Sequence, residues 1–236
     1  MKQPDGSTLL YKFVRLAGSP FRFQVVGLEN APVHGPAIFV ANHMGAAGPL
    51  AAVLSLPQRF HPWAIAEMMS YRRATRYLYD DFIHPTWRLD GKLGLAVSFV
   101  VSRISVTLLN GLGSVPVERY QGEAVGAFRR SLQLLSEGKI LLVFPEDAKQ
   151  PPDPATHLYP WLCGFVGLCG MHERDTGQRL PVYPMAVHPG KKTIAIGQAH
   201  FYEENASRRL DVRHHCDLLR QAVTDLYLVL EHGECP

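Results

Sequence analysis

The chain has 236 residues, enough for one α/β domain that buries a sizeable core. Hydrophobic residues make up 47% of it and charged residues 19%, a balance that excludes a disordered chain. The formal net charge of +3, from 24 Lys+Arg against 21 Asp+Glu, comes without a dense basic run, so the sequence does not predict a nucleic-acid-binding protein.

The first predicted element is a short amphipathic helix near the N-terminus. Residues 9–16 are mostly apolar or aromatic with two basic residues among them, and a glycine and a proline follow. The residues before it are polar and contain no apolar run with a cleavage site, so we expect no secretory signal. We therefore predict an N-terminal helix within residues 1–20, able to pack on protein or on lipid, and one domain over residues 21–236.

Short apolar segments alternate with helical patterns along the rest of the chain. Strands are predicted at residues 21–26, 37–41, 61–67, 114–117, 140–144, 182–187 and 193–196. Helices are predicted from Gly48-Pro49 onward and at residues 71–79, 93–109, 123–137 and 210–230. This alternation predicts an α/β fold, in which a mostly parallel, mixed central sheet is flanked by helices in a single domain.

The longest apolar segment covers residues 93–109 and contains one arginine. It falls short of the roughly 20 predominantly apolar residues that a membrane-spanning helix needs. We expect it to pack in the core or to lie at a membrane surface, and not to cross the bilayer.

The sequence contains four cysteines, which are Cys163, Cys169, Cys216 and Cys235. They are too few for a disulfide-built scaffold and lack the paired close spacings of a zinc site. His214, His215 and Cys216 are consecutive on a predicted helix, where neighbours point in different directions and do not share a metal ion. We therefore expect reduced thiols, a cytoplasmic protein and no metal site.

Polar residues follow three of the predicted strands. They are Asn42-His43, Glu118-Arg119 and the run from Glu146 through Asp147 to Lys149. Because the carboxyl ends of parallel strands meet at one edge of a sheet, these residues are predicted to form a functional site. The alternatives are a buried structural histidine at His43, a solvated charge at Arg119 and a turn residue at Glu146.

The order and spacing of these clusters resemble the 1-acylglycerol-3-phosphate acyltransferase family and its lysophospholipid acyltransferase relatives, over residues 21–187. Members carry Asn-His, four residues and then Asp; here Asn42-His43 is followed at that place by Gly48. The other family blocks are similar to a short strand ending in Arg119, to Phe144-Pro145-Glu146-Asp147-Ala148-Lys149, and to a strand with two prolines at residues 181–187. In the block after Phe144, Asp147 stands where the family has Gly and Lys149 where it has Arg.

The resemblance implies an enzyme that transfers a fatty acyl group from acyl-CoA or an acyl carrier protein to a lysophospholipid or glycerol-phosphate-type acceptor. His43 would be the general base that removes the acceptor's hydroxyl proton, since an imidazole titrates near neutral pH. Arg119 and Lys149 would bind the acceptor's phosphate, and Asn42 and Glu146 would position the substrate. No metal or redox cofactor is implied, and the expected location is the cytoplasmic face of a membrane, with peripheral attachment.

The aspartate that orients the histidine in the family is replaced here by Gly48. One hypothesis is that Asp147 acts as the catalytic carboxylate instead, because it follows a neighbouring strand and could reach His43 from that loop. The alternative is that Asp147 is a turn residue. In that case the chain would be a catalytically reduced relative that binds lipid or acyl carrier as an interaction module. A third possibility is thioester hydrolysis, in which His43 activates water instead of an acceptor.

Overall fold

The computed structural model describes residues 6–45, 47–118, 124–205 and 207–233. The helices are α1 Thr8–Ala17, α2 Ala47–Ser55, α3 Ala74–Leu78, α4 His84–Trp87, α5 Gly91–Leu112, α6 Ala124–Ser136, α7 Gly167–Thr176 and α8 Arg208–His232. The strands are β1 Gln24–Val26, β2 Ala37–Ala41, β3 Phe60–Ile65, β4 Val115–Val117, β5 Ile140–Val143, β6 Pro181–His188, β7 Thr193–Ile196 and β8 His200–Phe201.

Contacts between Cα atoms divide the chain into two compact units. The sheet unit consists of Val14–Phe60 and the chain from Ser131 onward. The helical unit consists of the residues up to Phe13 and His61–Arg130. Helix α1 therefore contributes residues to both units.

The sheet unit is organised around a mixed sheet in which the strand order is β1-β7-β6-β2-β5. The pairs β1/β7, β6/β2 and β2/β5 are parallel, whereas β6 is antiparallel to both β7 and β8. In the helical unit, β3 and β4 form a parallel pair. The predicted fold class is confirmed, because strands alternate with helices, most strand pairs are parallel, and α2 and α8 pack against the sheet.

Apolar packing on both faces of the sheet holds β2 in place. On one face the Phe39 ring packs against the rings of Phe60 and Tyr183, with centroids 5.2 and 5.1 Å apart. On the other face Ala186 packs against residues of α8. β2 and β5 are buried at every position, as expected for parallel strands covered on both sides. Burying a side chain such as that of Phe39 contributes roughly 1.5–3 kcal/mol, so the strand that leads to His43 is firmly anchored.

Two prolines in β6 fit the sheet because of where they lie. Pro181 is the first residue of the strand. Pro184 lies between the part of β6 that pairs with β8 and the part that pairs with β7. A proline cannot donate to a strand ladder, so it is tolerated at a strand start or at a break between two partners.

Helix α5 of the helical unit buries small residues and exposes large ones. Gly94, Ser98 and Ser102 recur at intervals of four and are buried, and the Ser102 hydroxyl lies 2.8 Å from that of Thr75 on α3. The exposed residues of the helix include five large apolar ones, Leu93, Leu95, Phe99, Val100 and Ile104, together with the charged Lys92 and Arg103. Small residues at the helix contact and large apolar residues facing outward are typical of helices that meet lipid or another apolar surface.

The predicted helix over residues 93–109 is shorter than the observed one. Helix α5 has 22 residues, a mean hydropathy of 1.6 in its most apolar window, and 22% of that window buried. By length and composition the helix is therefore long enough to cross a membrane, whereas the sequence predicted a segment too short to do so. The difference arises because the helix begins before residue 93 and continues to Leu112, where Gly113 with φ 73° ends it.

Cys163 and Cys216 form a disulfide bond, with their Cα atoms 5.4 Å apart. The expectation of reduced thiols is wrong for this pair, because the fold brings together two cysteines that are 53 residues apart in sequence. Cys169 is free and buried, and burial raises the pKa of its thiol to about 12, so it is not poised as a nucleophile. Cys235 lies outside the described residues.

Other predicted elements are present with shifted boundaries. Strand β1 begins at Gln24 and not at residue 21, because Ser19–Phe21 forms a 3₁₀ turn. The helix predicted at residues 71–79 is short and continues as a π-helical segment, Tyr79–Ile83. Helix α6 ends before Gly138, whose φ of 70° is left-handed, as the sequence predicts.

Candidate active site

His43 follows β2 at the carboxyl end of the parallel strands of the sheet unit. The next residues, Met44 and Gly45, have φ of 44° and 65°, so the chain turns sharply before α2 begins. The His43 side chain is exposed to solvent, and its ring meets that of Phe144 edge to face with centroids 5.3 Å apart. A substrate can therefore reach the imidazole.

The environment of His43 favours the neutral form of its ring. Protein atoms around the imidazole lower the pKa of His43 below the usual value of about 6.5 by desolvating the charged form, although part of the residue is exposed. The ring is therefore neutral at pH 7, the form that a general base needs. In the described part of the chain, the carboxylate that contacts His43 is that of Glu146, and it binds the backbone N–H and not the ring.

Asn42 has a structural role in the sheet. Its side chain is fully buried, its Nδ2 donates to the carbonyl oxygen of Val187 at 2.9 Å, and the N–H of Val187 donates to its Oδ1 at 2.7 Å. The amide thus prolongs the pairing of β2 with β6 beyond the last backbone pair. The structure gives Asn42 a positioning role in place of the predicted substrate contact, because its amide is buried and bonded to backbone.

Glu146 connects the loop after β5 to the loop after β2. Its Oε2 accepts a hydrogen bond from the His43 N–H at 2.9 Å, and its Oε1 accepts one from the Tyr159 N–H at 3.4 Å. Burial raises the pKa of Glu146, and these two backbone bonds act in the opposite direction. A charge-assisted bond to the backbone fixes the chain at His43. Glu146 and His43 are therefore brought together, as predicted, but the carboxylate holds the protein backbone.

Gly48, which stands where the family has aspartate, packs directly against the backbone of His43. Its N–H donates to the His43 carbonyl oxygen at 3.1 Å. A Cβ at residue 48 would lie 2.2 Å from that same oxygen and 2.9 Å from the carbonyl oxygen of Asn42. Both distances are far below van der Waals contact, so a side chain does not fit at residue 48 unless the backbone moves.

The expected contact between Asp147 and His43 is not formed. The Oδ2 of Asp147 accepts from the Gln150 side chain at 2.9 Å, and its Oδ1 accepts from the Lys149 N–H at 3.2 Å. The bonds from Gln150 and Lys149 lower the pKa of Asp147. Its carboxylate is thus engaged in its own turn, as the turn-residue alternative predicts.

Two basic residues, Lys149 and Arg119, are the predicted phosphate-binding residues. Lys149 is exposed on the turn that Asp147 stabilises. Arg119 lies outside the described residues. Its neighbour Glu118 accepts two hydrogen bonds from the guanidinium of Arg73, at 3.1 and 3.2 Å, within the helical unit. Within the described residues, no group of three or more His, Cys, Asp or Glu side chains could hold a metal ion.

Residues 159–161 also belong to the site, although the sequence alone did not predict it. The Asp147 N–H donates to Pro160 O at 2.8 Å, and Glu146 and Trp161 form an isolated antiparallel bridge. This segment thereby braces the loop that carries Glu146. A proline-rich stretch predicts a loop, and two aromatic residues at its end were the one available signal that the loop packs against the protein.

The chain shares the fold of a known acyltransferase. The crystal structure of the 1-acyl-sn-glycerophosphate acyltransferase PlsC from Thermotoga maritima is similar to it with a TM-score of 0.50. The similarity covers 92% of this chain and 78% of that chain at 15% sequence identity. No protein-family model and no curated protein matches the sequence. At this identity the likeness establishes an α/β fold of the acyltransferase type.

Proposed function

We propose that the chain is an acyltransferase that moves a fatty acyl group from acyl-CoA or an acyl carrier protein to a lysophospholipid or glycerol-phosphate-type acceptor. The observation that carries this proposal is the position of His43 at the end of β2, where its imidazole is accessible and its backbone N–H donates to Glu146. Desolvation lowers the pKa of His43 and thereby favours the neutral ring. The similarity of the fold to that of a 1-acyl-sn-glycerophosphate acyltransferase supports it.

The proposed reaction requires one base. The imidazole of His43 takes the proton of the acceptor hydroxyl while the hydroxyl oxygen attacks the carbonyl carbon of the thioester. The new C–O bond forms, the C–S bond breaks, and the departing thiolate takes the proton back from the imidazolium. General base catalysis of this kind typically contributes about 10²–10⁴-fold to a rate.

Hydrogen bonds to the backbone of His43 fix the position of its main chain. Glu146 binds the N–H of His43, and the N–H of Gly48 binds its carbonyl oxygen. These bonds fix the main chain but do not select the tautomer of the ring. In the serine-protease triad, loss of the carboxylate that does so costs about 10⁴-fold in rate. We therefore propose an enzyme that is slower than a relative with the orienting aspartate.

We propose peripheral attachment to a membrane surface through apolar helical faces. Helix α1 exposes Leu9, Phe13 and Leu16, which are four and three residues apart and share one face. Helix α5 exposes Phe99 and Ile104 among other large apolar residues. Faces of this kind insert at the boundary between headgroups and acyl chains. A carbonate wash should release the protein; release by detergent alone would contradict peripheral attachment and indicate that α5 spans the bilayer.

The test of the function is a product screen. Purified protein is incubated with mixed acyl-CoAs, acyl carrier protein and lysolipids, and the acylated products are identified by mass spectrometry. We expect an acylated lysolipid and thiol release that depends on the acceptor, both absent from His43→Ala. Thiol release at the same rate without acceptor would assign hydrolysis instead. No His43-dependent product with any pair would contradict the proposal.

The second candidate function is an interaction module that binds lipid or acyl carrier. The observation that favours it is that neither residue 48 nor Asp147 supplies an orienting carboxylate to His43. Residue 48 has no room for a side chain, and the carboxylate of Asp147 is bound within its own turn. Lysolipid binding without turnover would support this function, whereas turnover that is lost in His43→Ala would eliminate it.

A further inference from the structure

A groove lined by arginines lies in the sheet unit beside the candidate site. Helix α8 forms one wall and the segment before α7 forms the other, around a volume of about 530 Å³. The helix contributes Arg209, Arg213 and Arg220, and the segment contributes Trp161 and Cys163. Because the three arginines are separated by four and seven residues, they lie on one face of the helix.

The groove has an excess of positive charge that the described protein leaves unpaired. The three arginines are exposed, and none of them takes part in the salt bridges formed among the described residues. Asp217 is the acidic residue among the described lining residues, so the local excess is two positive charges in a chain whose formal net charge is +3. Guanidinium groups present paired N–H donors that match phosphate oxygens.

The disulfide holds the two walls of the groove together. Cys163 lines the groove on the segment before α7, and its partner Cys216 lies on α8 between Arg213 and Arg220. Cys216 is three residues after the first of these arginines and four before the second, so it shares their face of the helix. The disulfide therefore fixes the wall opposite the arginines. Because this part of the groove is already ordered, less conformational entropy is lost when a ligand binds.

Trp161 gives the groove an aromatic wall. Its ring packs edge to face against Phe165, with centroids 6.2 Å apart, and the half-buried side chain also lines the groove. Flat rings of nucleobases stack on such aromatic faces. A concave site with one aromatic and several guanidinium groups favours a small phosphorylated nucleotide over a flat protein surface or a membrane.

The groove adjoins the loop that holds His43. The backbone of Trp161 bridges to that of Glu146, whose carboxylate binds the N–H of His43. Gln150 also lines the groove, and its side-chain amide donates to Asp147. A ligand in the groove therefore lies next to the loop whose Glu146 holds the backbone of His43, and its chain can extend from there toward the candidate base.

We propose that this arginine groove binds the phosphorylated nucleotide end of an acyl donor of the coenzyme A type. Arg209, Arg213 and Arg220 bind its phosphates, and Trp161 stacks on its base. The inference rests on the proposed function in naming the acyl donor as the ligand. It selects a nucleotide-bearing donor over an acidic carrier protein, because the phosphopantetheine arm of such a carrier has no nucleobase to place against Trp161.

Calorimetric titration at constant ionic strength tests the groove without turnover. The ligands are coenzyme A, adenosine 3′,5′-bisphosphate, pantetheine and inorganic phosphate. The proteins are wild type, Arg213→Gln, the triple Arg209→Gln/Arg213→Gln/Arg220→Gln variant, and Arg208→Gln, which removes a charge from α8 outside the groove. We expect affinity for coenzyme A and the bisphosphate to fall about tenfold for each groove arginine lost, to stay unchanged in Arg208→Gln, and to be absent for pantetheine. Trp161→Ala should weaken both ligands as well.

Equal affinity of wild type and the triple variant for coenzyme A would overturn the inference. Equal binding of pantetheine, or arginine-dependent binding of acyl carrier protein or anionic vesicles without binding of coenzyme A, would overturn it too. The inference and the proposed function fail separately. Arginine-dependent binding of coenzyme A without acyl transfer would support the groove as a nucleotide site and contradict the proposed function. Transfer from acyl-CoA with an unchanged KM in the triple variant would support the function and contradict the assignment of the groove.

Discussion

Replacing Gly48 by alanine or aspartate tests whether the loop excludes the carboxylate that the family carries. A Cβ at residue 48 would lie 2.2 Å from the carbonyl oxygen of His43. Carbon and oxygen atoms that are not bonded stay roughly 3.3 Å apart, so the backbone must move by about 1 Å. Overpacking of this kind costs about 1–3 kcal/mol. For a chain of this length, that loss lowers Tm by roughly 2–12 °C.

Thermal unfolding and acyl transfer are measured for Gly48→Ala, Gly48→Asp and Gly126→Ala. The last is the control, because a Cβ at residue 126 meets nothing within 4 Å and alanine is the better helix former. We expect both Gly48 variants to lose stability by similar amounts, since the Cβ is common to them, and to lose activity because the clash falls on the backbone of His43. A Gly48→Asp protein with the wild-type Tm and a raised rate, beside an unchanged Gly48→Ala, would show that the loop accommodates a carboxylate at residue 48.

Four further results are expected. Asn42→Ala should lower the free energy of unfolding by about 2–4 kcal/mol in chemical denaturation, because both backbone groups of Val187 lose a buried partner; an unchanged value would contradict that. Glu146→Ala should reduce acyl transfer and lower Tm, with Glu146→Gln between it and wild type, because the amide offers one acceptor oxygen where the carboxylate offers two. Asp147→Asn should leave the rate within about threefold of wild type, since its carboxylate binds an exposed turn; a loss of about 10²-fold would restore Asp147 as the catalytic carboxylate. The His43 signal in NMR titration should have a midpoint below about 6.5, so that the active neutral form persists as pH falls to that midpoint and is lost below it; a higher midpoint would contradict the desolvation of the ring.

The strands and the position of His43 could be predicted from local sequence patterns. Ala37–Ala41 and Ile140–Val143 are continuous apolar runs, which parallel strands covered on both sides require. Their register then places the residues that follow each strand side by side, which is why His43 and Glu146 meet. The fold class and the neighbourhood of the site therefore follow from burial and strand pairing.

The partners within the site could not be predicted, because they join residues that are far apart in sequence. Asn42 and Val187 are 145 residues apart, and which of their atoms meet depends on the register of β2 with β6. The same holds for Cys163 and Cys216, whose spacing gave no signal of a bond. The atom positions at Gly48 also depend on the loop's backbone angles, so the sequence showed a missing aspartate but not the missing space for it.

The initial rate of acyl transfer by His43→Ala, measured with the best substrate pair from the product screen, decides whether His43 is the base. His34→Ala, which removes an exposed histidine elsewhere in the sheet unit, is the matched control. We expect a rate at least about 10²-fold below wild type for His43→Ala, with Tm and coenzyme A affinity unchanged, and a wild-type rate for His34→Ala. A wild-type rate in folded His43→Ala would contradict the assignment of His43 as the base.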